Sequence, residues 1–154
     1  MKVGVFMRVA LQIVKNCSVE INNKPYSSIN SGLLLFVGFT QNDNLEIIKK
    51  VIDKIITLRI FPDENGKTNL MFDKIKQEVM CVSQFTLYAD ISHGRRPSFI
   101  SCLRPNEAEE LYNQTINYLK DIDVKTKCGV FGADMKVTLL NDGPFTLMID
   151  SEDL

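Results

Sequence analysis

Leu33-Leu34-Leu35-Phe36-Val37-Gly38-Phe39 is apolar at every position except its glycine, and this continuity constrains the fold more than any other stretch. A strand with one face in water alternates apolar and polar residues, whereas a strand apolar on both sides has to be covered on both. Seven residues opened by Ser31-Gly32 suit a strand better than a helix, although periodicity alone does not separate the two. The run is therefore expected to be a central strand. A chain of 154 residues is long enough to cover it within one domain.

The covering elements are visible on either side. Leu45, Ile47, Ile48, Val51, Ile52, Ile55 and Ile56 recur at helical spacing, with Glu46, Lys49, Lys50 and Asp53 opposite. Asp43, three residues before Glu46, is placed to cap this helix in the manner of a capping box, and the helix should end near Leu58. Asn65-Gly66 marks a turn soon after. Pro105 suits the first turn of a second helix, whose stripe is Ala108, Leu111, Tyr112, Thr115 and Leu119. Further strands are expected at 8–14 and 17–21, with a turn at Asn22-Asn23, and at 135–140 and 145–149, joined by Gly143-Pro144. Val79 to Tyr88 is read as one strand, with Val82, Gln84 and Thr86 on one side and Ser83, Phe85 and Leu87 on the other. The fold class is α/β: one mixed domain over 1–154, mostly strands, with two main helices and no Rossmann-like alternation.

Charge and cysteine usage narrow the chemistry. A formal net charge of −1 is not that of a strongly basic domain, so any RNA contact has to be local. Cys17, Cys81, Cys102 and Cys128 are far apart and His93 is the single histidine, so no metal site and no cofactor is expected and the thiols are read as reduced. No run approaches the roughly 18 apolar residues of a membrane span, and the start lacks the apolar region of a signal peptide. A cytoplasmic protein that does not engage a membrane is expected.

Two stretches carry candidate chemistry. Ser83, Gln84 and Thr86 cluster at the exit of an apolar strand, where a backbone can face a ligand. Isolated strand hydroxyls are ordinarily only hydrogen-bonding groups, and an activated Ser or Thr needs a base within reach. With one histidine, a Ser-His-Asp triad is hard to assemble. The other stretch is Asn141-Asp142-Gly143-Pro144-Phe145-Thr146, on its own a turn. Together, Ser83-Gln84-Phe85-Thr86-Leu87 and Asn141-x-Gly143-Pro144-x-Thr146 resemble the signatures of the D-aminoacyl-tRNA deacylases.

That resemblance covers nearly everything from Met7 onward and carries its own implications. It implies barrel-like sheets and paired subunits. Ser83, Gln84, Phe85 and Thr86 would form the catalytic segment, binding the terminal adenosine and the ester through backbone groups, while the substrate's ribose 2′-hydroxyl assists attack by water. A cis Gly143-Pro144 bond would project carbonyls into the partner subunit's pocket and exclude L side chains. Gly94-x-Arg96-Pro97-Ser98-Phe99 also matches the family pattern. There Arg96 is a candidate phosphate contact at the tRNA acceptor end, and Phe99 a candidate surface for the adenine. Met135, at the end of Phe131-Gly132-Ala133-Asp134-Met135, is a further pocket candidate. Two departures stand out: Ile13 occupies a position where the family carries an arginine that braces the Gly-Pro turn, and residues 1–6 precede the point where family chains start, an expected N-terminal extension. The implied activity is hydrolysis of D-aminoacyl-tRNA, and of glycyl-tRNA mischarged on a non-cognate tRNA. The alternatives are a proofreading deacylase for wrong L-aminoacyl-tRNA and a non-catalytic module that binds the tRNA end.

Overall fold

The computed structural model describes residues 6–154; most of the expected N-terminal extension therefore lies outside the described residues. The chain runs β1 (Arg8–Ile21), β2 (Lys24–Ile29), β3 (Gly32–Gly38), α1 (Leu45–Thr57), β4 (Phe61–Pro62), β5 (Thr68–Leu70), β6 (Glu78–Ser83), a 3₁₀ turn (Phe85–Tyr88), α2 (Pro105–Asp121), β7 (Thr126–Cys128) and β8 (Met135–Asp150). The main sheet is ordered β2-β1-β3-β6-β7, with β8 on the other side of β1. A short β4–β5 hairpin stands apart from it.

β3 is the central strand that its composition demands. It pairs antiparallel with β1 and parallel with β6. Leu33, Leu34 and Leu35 are wholly buried. Leu33 and Leu35 face the core under the two helices, and Leu34 joins Val14, Cys17, Val19, Ile29, Met80 and Val82 on the opposite face. Each such side chain contributes roughly 1.5–3 kcal/mol through burial. The curled sheet is nearly closed, because Ser27 Oγ on β2 donates to the Cys128 carbonyl on β7 at 2.7 Å. Asn22 and Asn23 both have positive φ (53° and 61°), the backbone of a two-residue hairpin that follows the sheet's twist.

Both helices lie where the apolar stripes put them, but the first is capped differently from expectation. Asn44, not Asp43, is the N-cap, and its Oδ1 accepts from the Ile47 N–H at 3.0 Å. Asp43 instead turns its carboxylate inward, where Oδ2 accepts from the Thr40 N–H at 2.8 Å and Oδ1 is buried with no close hydrogen-bond partner among the described residues. Burial pushes this carboxyl up to about 6, against the opposing pull of the Thr40 and Met7 N–H groups. Between the ordinary carboxylate pKa and about 6 the folded chain thus holds a proton that the unfolded chain has released. Stability from this group is present below the unfolded value and is lost as pH rises through the folded one. The melting temperature of Asp43→Asn, followed from pH 4 to 7, is expected to lack a decline that the parent shows across this window. Parallel curves would contradict the assignment.

Three strand boundaries differ from expectation, all because pairing is decided by distant partners. β1 is one strand rather than two, since β8 pairs along almost its whole length while its other edge passes from β3 to β2. β8 is likewise a single strand. Leu140 pairs with Asn16 and Thr146 with Gln12, in the same antiparallel sense, so the Gly143-Pro144 segment does not reverse the chain. It is an excursion from a continuous strand, and its X–Pro bond is cis. β6 ends at Ser83, five residues short of the strand end expected at Tyr88. Its partner β3 stops at Gly38, and after the Gln84 N–H donates to the Val37 carbonyl at 2.8 Å there is nothing left to pair with.

Candidate active site

Leaving the sheet at Ser83, the chain folds into the 3₁₀ turn Phe85–Tyr88, held from below by both ends of the described chain. Tyr88 is buried, and its hydroxyl donates to the carbonyls of Phe6 and Gly38, the latter at 3.4 Å. Burial raises its phenol far above the usual range. Arg8 reaches across from β1: Nη1 donates to the Leu87 carbonyl at 3.0 Å and Nε to Asp150 Oδ2 at 3.1 Å. Its guanidinium lies 4.8 Å from the Tyr88 ring centroid. Gly38 closes the arrangement, since a Cβ there would meet the Gln84 carbonyl at 2.9 Å and Tyr88 Cε2 at 3.1 Å.

Above this base lies a cavity of about 500 Å³. Ser83, Gln84 and Phe85 form one side, Met135 and the 131–134 run a second, and Phe36, Phe39 and Leu103 the apolar back. Ser83 and Gln84 are half-buried and Thr86 is exposed at the rim. Gln84 Nε2 donates to Thr86 Oγ1, so the amide orients that hydroxyl. Among the described residues, the titratable side chains on the lining are Asp134 and Cys102. Asp134 is paired with Lys136 at 3.1 Å and turned to solvent, and the Cys102 thiol donates to the Phe99 carbonyl at 2.8 Å. Neither is hydrogen-bonded to Ser83 or Thr86. Phe85 and Thr86 open the 3₁₀ turn, where backbone N–H groups have no partner inside the turn.

The remaining sequence candidates fall in two places. Phe99 does not line the cavity itself but stacks edge-on against Phe85, ring centroids 5.1 Å apart, so it extends the rim. Arg96 stands exposed on a loop closed by paired backbone hydrogen bonds between Asp90 and Ser98 (2.8 and 2.9 Å). The Asp90 carboxyl is held below its ordinary range by the Ser92 hydroxyl and N–H. Gly143 lines a different cleft, of about 480 Å³, with Ile13, Phe61, Leu70 and Phe145. Within one chain the two signature segments are thus on separate clefts. Sequence reasoning missed Phe36 and Leu103, because the cavity draws single residues from elements whose periodicity already accounts for them.

Two solved structures share this fold over nearly the whole chain. A solved structure described as a probable eukaryotic D-amino acid tRNA deacylase superposes with a TM-score of 0.83, covering 94% of this chain and 99% of its own, at 16% identity. Another, described as c-Myc DNA Unwinding Element Binding Protein, reaches a TM-score of 0.83 at 32% identity, covering 92% of this chain and 97% of its own. Sequence then assigns the family. The profile described as D-Tyr-tRNA(Tyr) deacylase matches residues 10–150. A D-aminoacyl-tRNA deacylase of Thermosipho africanus is 48% identical over 95% of this chain and 98% of its own length, and one of Fusobacterium nucleatum 45% over 96% and 97%. The chain belongs to the D-aminoacyl-tRNA deacylase family.

Proposed function

We propose that this chain hydrolyses the ester joining a D-amino acid to the 3′ end of tRNA, releasing free amino acid and tRNA as a chiral proofreading step. The observation that carries the reading is the position of Ser83, Gln84 and Phe85 on the wall of the cavity, in a chain matching the family over 10–150. Glycine, with no side chain to exclude, fits the same pocket, so glycyl-tRNA mischarged on a non-cognate tRNA is a second substrate. The terminal adenosine enters beside Phe85 and Phe99, Arg96 meets phosphate on the acceptor end, and the ester lies over the 3₁₀ turn. Among the described residues no side-chain base is bonded to Ser83 or Thr86, which supports catalysis by positioning and by backbone N–H groups of the turn facing the developing oxyanion. Water attacks the carbonyl with help from the ribose 2′-hydroxyl, and the ribose 3′-oxygen departs with the bonding pair and takes up a proton.

The working unit is a homodimer in the cytoplasm. Asp142, Gly143 and Pro144 are exposed, away from their own chain's cavity, and β8 pairs with β1 alone among the described strands. An exposed excursion on an unpaired edge supports insertion into a second copy, where its backbone would exclude L side chains. Single-turnover release of amino acid from matched D- and L-aminoacyl-tRNA tests the reading, with rapid release expected from the D form and background release from the L form. Release from L alone would favour a proofreading deacylase of the other chirality, and binding without release a non-catalytic module.

A further inference from the structure

We infer that Asn141 is a positioning residue for chiral selection, because it staples the neck of the Gly143-Pro144 excursion. The inference rests on the reading above, in which that excursion is the wall that excludes L side chains. In the β1–β8 register Val14 faces Asn141 and Gln12 faces Thr146. Four residues of β8, 142–145, therefore stand opposite the single residue Ile13. A four-residue loop leaving an edge strand has no ladder of its own to fix where its tip lies.

Asn141 supplies the missing fixture. Its Oδ1 accepts from the Phe145 N–H at 2.6 Å, and its Nδ2 faces the Phe145 carbonyl at 3.2 Å, Thr146 Oγ1 at 3.0 Å and Gln12 Oε1 at 3.3 Å. Both ends of the excursion are thereby tied to one planar amide and, through Gln12, to β1. The donor and acceptor pattern at Phe145 also fixes which way the amide faces. The buried Ile13 side chain, with no polar atom, packs beneath and contributes no hydrogen bond to the loop. Only an amide serves at 141: a carboxylate keeps the acceptor but has no donors and meets the Phe145 carbonyl with like charge, and alanine has neither.

A wall that separates enantiomers acts by where its atoms lie, and a misplacement of about 1 Å in such a positioning element costs on the order of a hundredfold. Asn141→Ala is accordingly expected to compress the ratio of D to L kcat/KM by about tenfold or more, on the scale of that misplacement. Activity on glycyl-tRNA, which has no side chain to sort, should change far less, and a purely structural defect would lower all three substrates together. Asn141→Asp and Thr146→Val remove the donors and one acceptor with little change of shape, and should compress the ratio in smaller steps. They decide the matter if the alanine variant does not fold. A parent without D preference would overturn the chiral-wall reading itself. A D-selective parent whose folded Asn141 and Thr146 variants keep the parental ratio would overturn the role of Asn141 alone.

Discussion

A tRNA ending in 2′-deoxyadenosine and charged with a D-amino acid is expected to be hydrolysed about a hundredfold more slowly than its ribose counterpart, whereas Thr86→Val should retain most of the parental rate. The two results belong together. A proton-transfer group in place during the transition state is worth about 10²–10⁴ in rate, and among the described residues the cavity offers no side chain bonded to its hydroxyls that supplies one. Thr86 accepts from the Gln84 amide, Asp134 is engaged by Lys136, and the Cys102 thiol is spent on the Phe99 carbonyl. The nearest such group on the substrate is the vicinal 2′-hydroxyl. Valine preserves the branched shape of threonine and removes only the oxygen. Single-turnover rates for the four combinations of enzyme and substrate separate the accounts. Loss of activity in Thr86→Val with full cleavage of the deoxy substrate would mean a protein nucleophile.

Gly143→Ala should slow deacylation of D-substrates by about a hundredfold while leaving a folded protein. Gly143 has φ of +154°, a backbone that L residues rarely adopt, and a Cβ there would stand 2.7 Å from the Phe145 N and 3.1 Å from its Cβ. That N–H is the one bound by Asn141 Oδ1, so the alanine methyl pushes on the staple as well as on the tip. The cost is local, because residues 142–144 are exposed and no core side chain leaves its place. Rates fall because the tip is displaced by a distance on the scale that costs about a hundredfold. Melting curves, elution volume and deacylation of D-aminoacyl-tRNA check this. Unaltered hydrolysis would remove the excursion from the site.

What the sequence disclosed and what it hid divide along one physical line. The stripes of α1 and α2 and the two-sided run of β3 report burial that each segment experiences by itself, and they were legible. The continuity of β1 was hidden, because Lys15 and Asn16 are exposed and read as a break, while β8, more than a hundred residues away, holds them in one strand. The same cause hid the path of the site segment. Ser83 to Leu87 alternates like a strand, but alternation does not reveal that β3 ends at Gly38. Candidate residues were legible as types and order at two motifs; the cavity they border was not, since Phe36 and Leu103 come to it from unrelated elements. That the two motifs occupy separate clefts in one chain is a fact of topology alone.

The Arg8–Asp150 pair joins residues 142 apart in the chain, and it lies directly under the 3₁₀ turn of the site. Contacts of such separation are slow to form, since the loop they close must be ordered before they repay its entropy. Synthesis proceeds from the N-terminus, so β1, β3 and the helices are complete well before the last residues of β8 exist. Throughout that interval β1 displays an open edge along its length, and Arg8 has no Asp150 to hold it against the Leu87 carbonyl. A nascent chain of this protein is therefore sticky before it is competent, and the addition of its final strand both covers the edge and sets the site.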